Sequence, residues 1–226
     1  MMNKLVNKIL VVFFIFSQLI SCSRSSESNE FSKLEVIEKD GVLVMRDGSK
    51  SVTGKLIDYW EDDQKKFEIE YQNGIMSGKA VFYDSTGHKI SEGFNKDGKA
   101  HGKITKWYKN GNKESEIHYL FGRKDGISKK WYEEDGQLQW KKKYNNEVPV
   151  GKWAYYYSNG QLDIEFETKN GQADDYIIKY HPNGNKKEEG KVEKGQKVGL
   201  WKYYSEDGTL TKTEELNPTP EEKQTE

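Results

Sequence analysis

The sequence predicts an all-β fold, an elongated antiparallel sheet of tandem β-hairpins, and three observations predict it. A glycine recurs at Gly54, Gly78, Gly102, Gly126, Gly151 and Gly199, with Asp175 in the sixth place, at intervals of 24 residues broken once by 25. The sixth position of every unit is aromatic: Tyr59, Tyr83, Trp107, Trp131, Tyr156, Tyr180 and Tyr204. Between turn signals the chain alternates with period two: Leu162, Ile164 and Phe166 face one way and Asp163, Glu165 and Glu167 the other. That alternation is the mark of a half-buried strand, and no helical periodicity competes with it.

Composition supports a thin sheet over a thick core. Of 226 residues, 34% are hydrophobic, 32% charged and 13% aromatic. Such a chain has few aliphatic residues for a compact interior but enough aromatics to resist disorder. The formal net charge of −1 gives no basic excess, so nucleic acid is not an expected partner.

The first 21 residues read as an export signal, with Lys4 and Lys8, the apolar run Ile9–Phe16, and Leu19-Ile20-Ser21 ahead of Cys22. That apolar run is too short to span a bilayer as a helix. Leu-Ile-Ser-Cys resembles the lipobox of bacterial lipoproteins, which implies cleavage before Cys22 and lipidation of its thiol. An ordinary signal peptide, or a signal anchor with an incidental cysteine, is the alternative. Cys22 is the single cysteine, so no intramolecular disulfide can form. Acyl chains at ~0.8 kcal/mol per buried CH₂ would hold the mature protein on a membrane. Ser23 after the cysteine favours an outer membrane, where the cell has one.

Residues 22–30 form the expected lipidated start and polar tether, and 31–53 an entry hairpin or cap. The repeat domain covers 54–216, and residues 217–226 (NPTPEEKQTE) form a polar, disordered tail. Within a unit, the tenth-position glycine closes a tight turn between two strands, as in Asn159–Gly160. A second glycine (Gly74, Gly98, Gly122, Gly171, Gly195) leads to the next unit, with Asn146–Glu147 departing from the pattern. The one 25-residue interval has its extra residue in the turn Glu133-Glu134-Asp135-Gly136. An isolated hairpin is marginal in water, so neighbouring units must stabilise one another.

The pattern seen in Gly102-Lys-Ile-Thr-Lys-Trp107-Tyr108-Lys-Asn-Gly111 resembles the MORN-repeat variant of bacterial proteins, some labelled YwqK-type antitoxins. The resemblance extends over roughly residues 40–216. It implies hairpins laid side by side as a scaffold or interaction surface.

Nothing in the sequence assembles a catalytic constellation. His88, His101, His118 and His181 occupy four different repeat positions, so no metal-binding file forms. Glu68, Glu92, Glu116, Glu165 and Glu189 recur at the fifteenth position and read as the polar face of the second strand, offset by nearby lysines. No phosphate-cradling loop or nucleophile elbow appears. No cofactor, metal or small-molecule substrate is therefore expected.

The sixth-position aromatics are expected to pack across strands. Third- and seventh-position residues, namely Trp153, Trp201, Tyr108, Tyr132 and Tyr157, lie on the opposite pleat face and are the candidate exposed platform for a partner. The resulting expectation is a non-enzymatic, membrane-anchored lipoprotein of a bacterial cell envelope, facing away from the cytoplasm, whose repeat sheet binds a protein. A cell-envelope glycan-binding module and an antitoxin or immunity-like inhibitor stand as alternatives.

Overall fold

The computed structural model describes residues 30–217. The export signal, Cys22 and the residues after Asn217 lie outside them. Apart from one turn of 3-10 helix, Lys33–Glu35, the regular structure is all β.

Three short strands precede the repeats: β1 (Glu30–Ser32), β2 (Val36–Lys39) and β3 (Val42–Met45). Glu30, expected in the tether, instead begins β1 and pairs in parallel with Lys55. Asp40 and Gly41 both take positive φ, 51° and 75°, giving the tight turn that joins β2 to β3. This hairpin folds over the first repeat. Val36, Val52 and Leu56 form a buried cluster with Phe31, Leu43, Met45, Phe67 and Tyr71 around it. Leu43 N–H donates to the Gly74 carbonyl at 2.8 Å and Gly74 N–H to that of Val52 at 2.7 Å, which fixes the hairpin to the end of unit 1.

The seven units then run as a continuous meander within a 17-stranded sheet. Their leading strands are Gly54–Tyr59, Ile75–Tyr83, Lys99–Trp107, Gly126–Trp131, Gly151–Tyr156, Gln172–Tyr180 and Gln196–Tyr204. Their returning strands are Lys65–Gln72, Lys89–Lys96, Lys113–Leu120, Leu138–Asn145, Leu162–Lys169, Lys186–Glu193 and Leu210–Leu216. Each leading strand ends on its sixth-position aromatic. Pairing between them is antiparallel throughout, with a register shift at each turn-proximal end.

Two kinds of turn alternate. At one edge the seventh residue's carbonyl accepts from the glycine three residues on, as in Gly160 N–H to Tyr157 O at 2.9 Å. The extra residue of unit 4 widens this turn, so Gly136 N–H reaches back to Tyr132 O at 3.2 Å. The other edge has two-residue turns with both φ values positive, which match the right-handed twist of the strands. Glu147 occupies such a position at φ 71° where its counterparts are glycine. Its side chain compensates by accepting Lys124 N–H at 2.6 Å while its own N–H donates to Lys124 O at 2.9 Å.

A hydrogen-bonded ladder ties the units along the first edge. Tyr108 OH donates to Trp131 O at 3.0 Å, Tyr132 OH to Tyr156 O at 2.8 Å, and Tyr157 OH to Tyr180 O at 2.7 Å. At the equivalent place the His181 ring Nε2 lies 2.9 Å from Tyr204 O. Beside this ladder Asn110, Asn159 and Asn183 donate their amides to Glu133 O, Pro182 O and Glu206 O at 2.6–2.7 Å. Each bond satisfies a turn carbonyl of the next unit, and Asn112 and Asn185 add a second donor to Glu133 O and Glu206 O.

The two sheet faces differ. One, called here the ladder face, carries the fifteenth-position glutamates and the lysines that pair with them: Lys65–Glu68 at 2.6 Å, Lys113–Glu116 at 2.8 Å and Lys186–Glu189 at 2.7 Å. Tyr180 OH and Tyr204 OH donate to Glu165 and Glu189 of the preceding unit at 3.1 and 2.7 Å. The opposite face carries the third, fifth, fourteenth and sixteenth positions, and the β2–β3 hairpin covers it at unit 1.

Candidate interaction surface

In units 4 and 5 that opposite face lies open and is lined with rings. Trp140 and Tyr155 oppose each other across neighbouring strands, as do Trp153 and Phe166. Directly opposed residues share a face, and an aromatic side chain is large enough to reach its diagonal neighbours as well. The ring centroids of Trp153 and Phe166 lie 5.9 Å apart, those of Tyr144 and Trp153 5.8 Å, and Tyr155 stacks on Phe166 at 6.3 Å. All five rings are half-buried, with one flank to solvent. Burial pushes the Tyr144 phenol up, with smaller contributions from Tyr155 and Glu147.

At the centre sits Lys142, whose Nζ lies 4.7 Å from the Trp140 ring centroid, 4.4 Å from Trp153 and 4.7 Å from Tyr155. The attraction of an ammonium for these ring faces is worth about 0.5–1 kcal/mol at exposed sites and more where water is excluded. The rings thereby gain a positive charge without a carboxylate beside it. Beneath them Ser128, the third-position residue of unit 4, is 1% exposed. Its small side chain leaves room for the larger groups above it.

The residues of the expected platform take different places. Trp153 is in the ring cluster. Trp201, the same repeat position two units later, is 0% exposed, because the preceding unit has Gly190 where unit 4 has Lys142. The indole drops onto that glycine and its Nε1 donates to Lys191 O at 3.0 Å. Tyr108, Tyr132 and Tyr157 do not project as a platform either, since their hydroxyls are committed to the inter-unit ladder. Burial, followed by the Asp163 carboxylate beside it, pushes the Tyr157 phenol up to about 12. Trp140, Tyr144, Tyr155 and Phe166 were not among the expected residues. The signal for Trp140 is obscured by the inserted turn residue, which shifts its place in the unit by one.

Comparison with known families matches the MORN repeat variant model to residues 100–120, 149–170 and 197–216. The matches support membership of the MORN-repeat family. They fall on the third, fifth and seventh units. The intervening fourth and sixth units carry the inserted turn residue and Asp175, which takes φ 84° where the other units have glycine. No curated protein matches the chain. MORN repeats commonly mediate protein or membrane interactions.

The histidines do not converge on the ring-lined face. His88 Nδ1 is 2.8 Å from Thr86 Oγ1, His118 Nδ1 is 2.6 Å from Ile127 O, and the His101 ring packs tilted against Phe121 with centroids 4.9 Å apart. Among the described residues no group of three or more His, Cys, Asp or Glu side chains is placed to hold a metal ion.

Proposed function

We propose that the chain is a non-enzymatic binding scaffold, held on a membrane by a lipidated Cys22 and facing away from the cytoplasm in a bacterial cell envelope. One observation carries the binding role. The half-buried rings of Trp140, Trp153 and Tyr155 gather around Lys142 in one cluster, whereas more exposed rings such as Tyr59, Phe94 and Tyr176 lie outside it. Such half-exposed aromatic groups, apolar in body with a polar tip, are what a macromolecular partner stacks on.

The anchor rests on the basic start, the short apolar run and the placement of the single cysteine. Palmitate labelling tests it: label enters the parent chain and is lost in Cys22→Ser, and equal labelling of both overturns the anchor. A photo-crosslinking residue at position 140 tests the surface in intact cells. A discrete adduct that is absent when the same residue is placed at position 202 on the ladder face is expected, and equal adducts from both faces refute it. Row-like placement of Trp140 and Tyr155 on neighbouring strands also favours a glycan as occupant, since pyranose rings stack on flat aromatic surfaces.

A further inference from the structure

The fourth unit breaks the charge pattern that the rest of the sheet keeps. Its strands, Gly126–Trp131 and Leu138–Asn145, hold Lys129, Lys130, Lys141, Lys142 and Lys143 and no carboxylate, whereas every other unit has at least one Asp or Glu in its strands. Lys141 stands at the position filled by glutamate in five other units. On the ring-lined face, cross-strand pairing sets up the file Ser91, Lys106, Ser115, Lys130, Trp140, Tyr155. Lys142 lies in the adjacent file, opposite Ser128.

Lys106, Lys130 and Lys142 make no ion pair among the described residues. On the ladder face, by contrast, Lys65, Lys89, Lys113 and Lys186 each hold a glutamate. Like charges gathered on one face of a sheet repel one another in the free protein; ring contacts offset this for Lys142, whereas Lys106 and Lys130 have neither a ring contact nor an ion pair among the described residues. An anion from outside would remove that cost.

We propose that this face of units 3 to 5 binds an acidic polysaccharide, with pyranose rings stacked on Trp140, Trp153 and Tyr155 and carboxylates paired with Lys106, Lys130 and Lys142. The proposal rests on the reading of the same band as the contact surface and names its ligand. A peptide adding as a β-strand is disfavoured, because the strands of units 4 and 5 are paired on both sides and offer no free edge. A nucleic acid is disfavoured because the chain as a whole has no basic excess, with a net charge of −1. Repeating sugar units need only rings and cations at short, regular intervals, which cross-strand steps of about 4.8 Å supply.

The test uses the full chain in detergent, with polygalacturonate as probe and dextran, polyglutamate and a single-stranded oligonucleotide as comparators. Tryptophan fluorescence and calorimetry report binding. Polygalacturonate is expected to bind, to quench the tryptophans and to be displaced by salt, while the comparators bind at least tenfold more weakly. The double variant Lys106→Gln/Lys130→Gln, which removes two charges, should weaken binding by about tenfold at low salt with its urea midpoint unchanged or slightly raised. Trp140→Leu should reduce the quenching. Equal binding of dextran, of polyglutamate or of the oligonucleotide overturns the proposal, as does no binding or an unaffected double variant. If these assays fail while crosslinking from position 140 still captures one protein, the band remains the contact surface and the ligand class alone is wrong.

Discussion

Gly190→Ala isolates the contact that decides the fate of the third-position tryptophans. Gly190 has ordinary extended backbone, so alanine is conformationally acceptable there and should itself gain roughly 0.5–1 kcal/mol over glycine in a strand. The added Cβ, however, would lie 2.5 Å from Trp201 Cε2 and 2.6 Å from its Cγ. The indole must lift. It then gives up its hydrogen bond to Lys191 O, worth about 1 kcal/mol net, and incurs an overpacking cost of about 1–3 kcal/mol. The net expectation is a loss of about 1–3 kcal/mol, read as a lower urea midpoint. Because units of a repeat array contact only their neighbours, faster hydrogen exchange should concentrate in Lys186–Glu193 and Gln196–Tyr204. In a Trp201→Leu background the same alanine should be neutral or stabilising. Gly93→Ala, whose added Cβ would lie 2.7 Å from Ile104 Cγ1 and 3.4 Å from its Cα, should cost less. A Gly190→Ala protein as stable as its parent, or one equally weakened with Trp201 removed, would refute the account.

Tyr132→Phe and Tyr157→Phe each remove one rung between units and should cost about 1 kcal/mol in urea unfolding, with faster exchange at the next turn; unchanged midpoints would make the ladder incidental. At alkaline pH, three tyrosines should titrate late. Burial, then the neighbouring Asp163 and Glu165 carboxylates, lifts Tyr157 and Tyr180 to about 12, and the hydrogen bond to Glu189, then burial, lifts Tyr204 to about 12. Since the folded values lie above the ordinary value near 10, the stabilisation is complete below that pH and is lost as pH rises toward 12. Melting midpoints should fall across that window, and in phenolate absorbance Tyr157, Tyr180 and Tyr204 should be among the last groups to titrate. In acid the sign reverses: hydrogen bonds from Lys65 and Lys89 hold Glu68 and Glu92 below the ordinary 4.5, so their contribution is present above that pH and fades as pH falls through the lowered values. Lys89→Gln should flatten this acid limb by less than about 1 kcal/mol, as expected of partly exposed pairs, and an unaltered limb would contradict it.

Much of the fold was legible because its signals are local. A tight turn needs a residue that accepts positive φ, and a strand facing solvent on one side alternates, so glycine spacing and period two locate the hairpins without knowledge of their neighbours. The surface was less legible because its determinants are non-local. Trp153 and Trp201 are the same letter at the same repeat position. What separates them is a residue in the preceding unit, Lys142 in one case and Gly190 in the other, which becomes relevant only once cross-strand partners are known. The seventh-position tyrosines misled for a similar reason. Their hydroxyls reach carbonyls 23 or 24 residues ahead, which requires adjacent turns to lie in step along one edge. A lasting sequence signal for the open band did exist: the strands of unit 4 contain five lysines and no carboxylate.

Repetition also explains why stability and recognition should be separable in this chain. A position that serves the same contact in every unit is constrained by its neighbours on both sides, as with the tyrosine ladder and the Lys–Glu file, and changing it weakens two interfaces at once. A position that departs from the pattern escapes that constraint. Lys141 cannot make the ion pair its register position makes elsewhere, and Ser128 supplies no bulk where other units place Leu56, Ile104 or Trp153. The fourth unit thus contributes less to the shared interactions while presenting Trp140, Lys130 and Lys142 on an uncovered face. Substituting those three should change binding with little effect on unfolding, and substituting Tyr132 or Tyr157 should do the opposite.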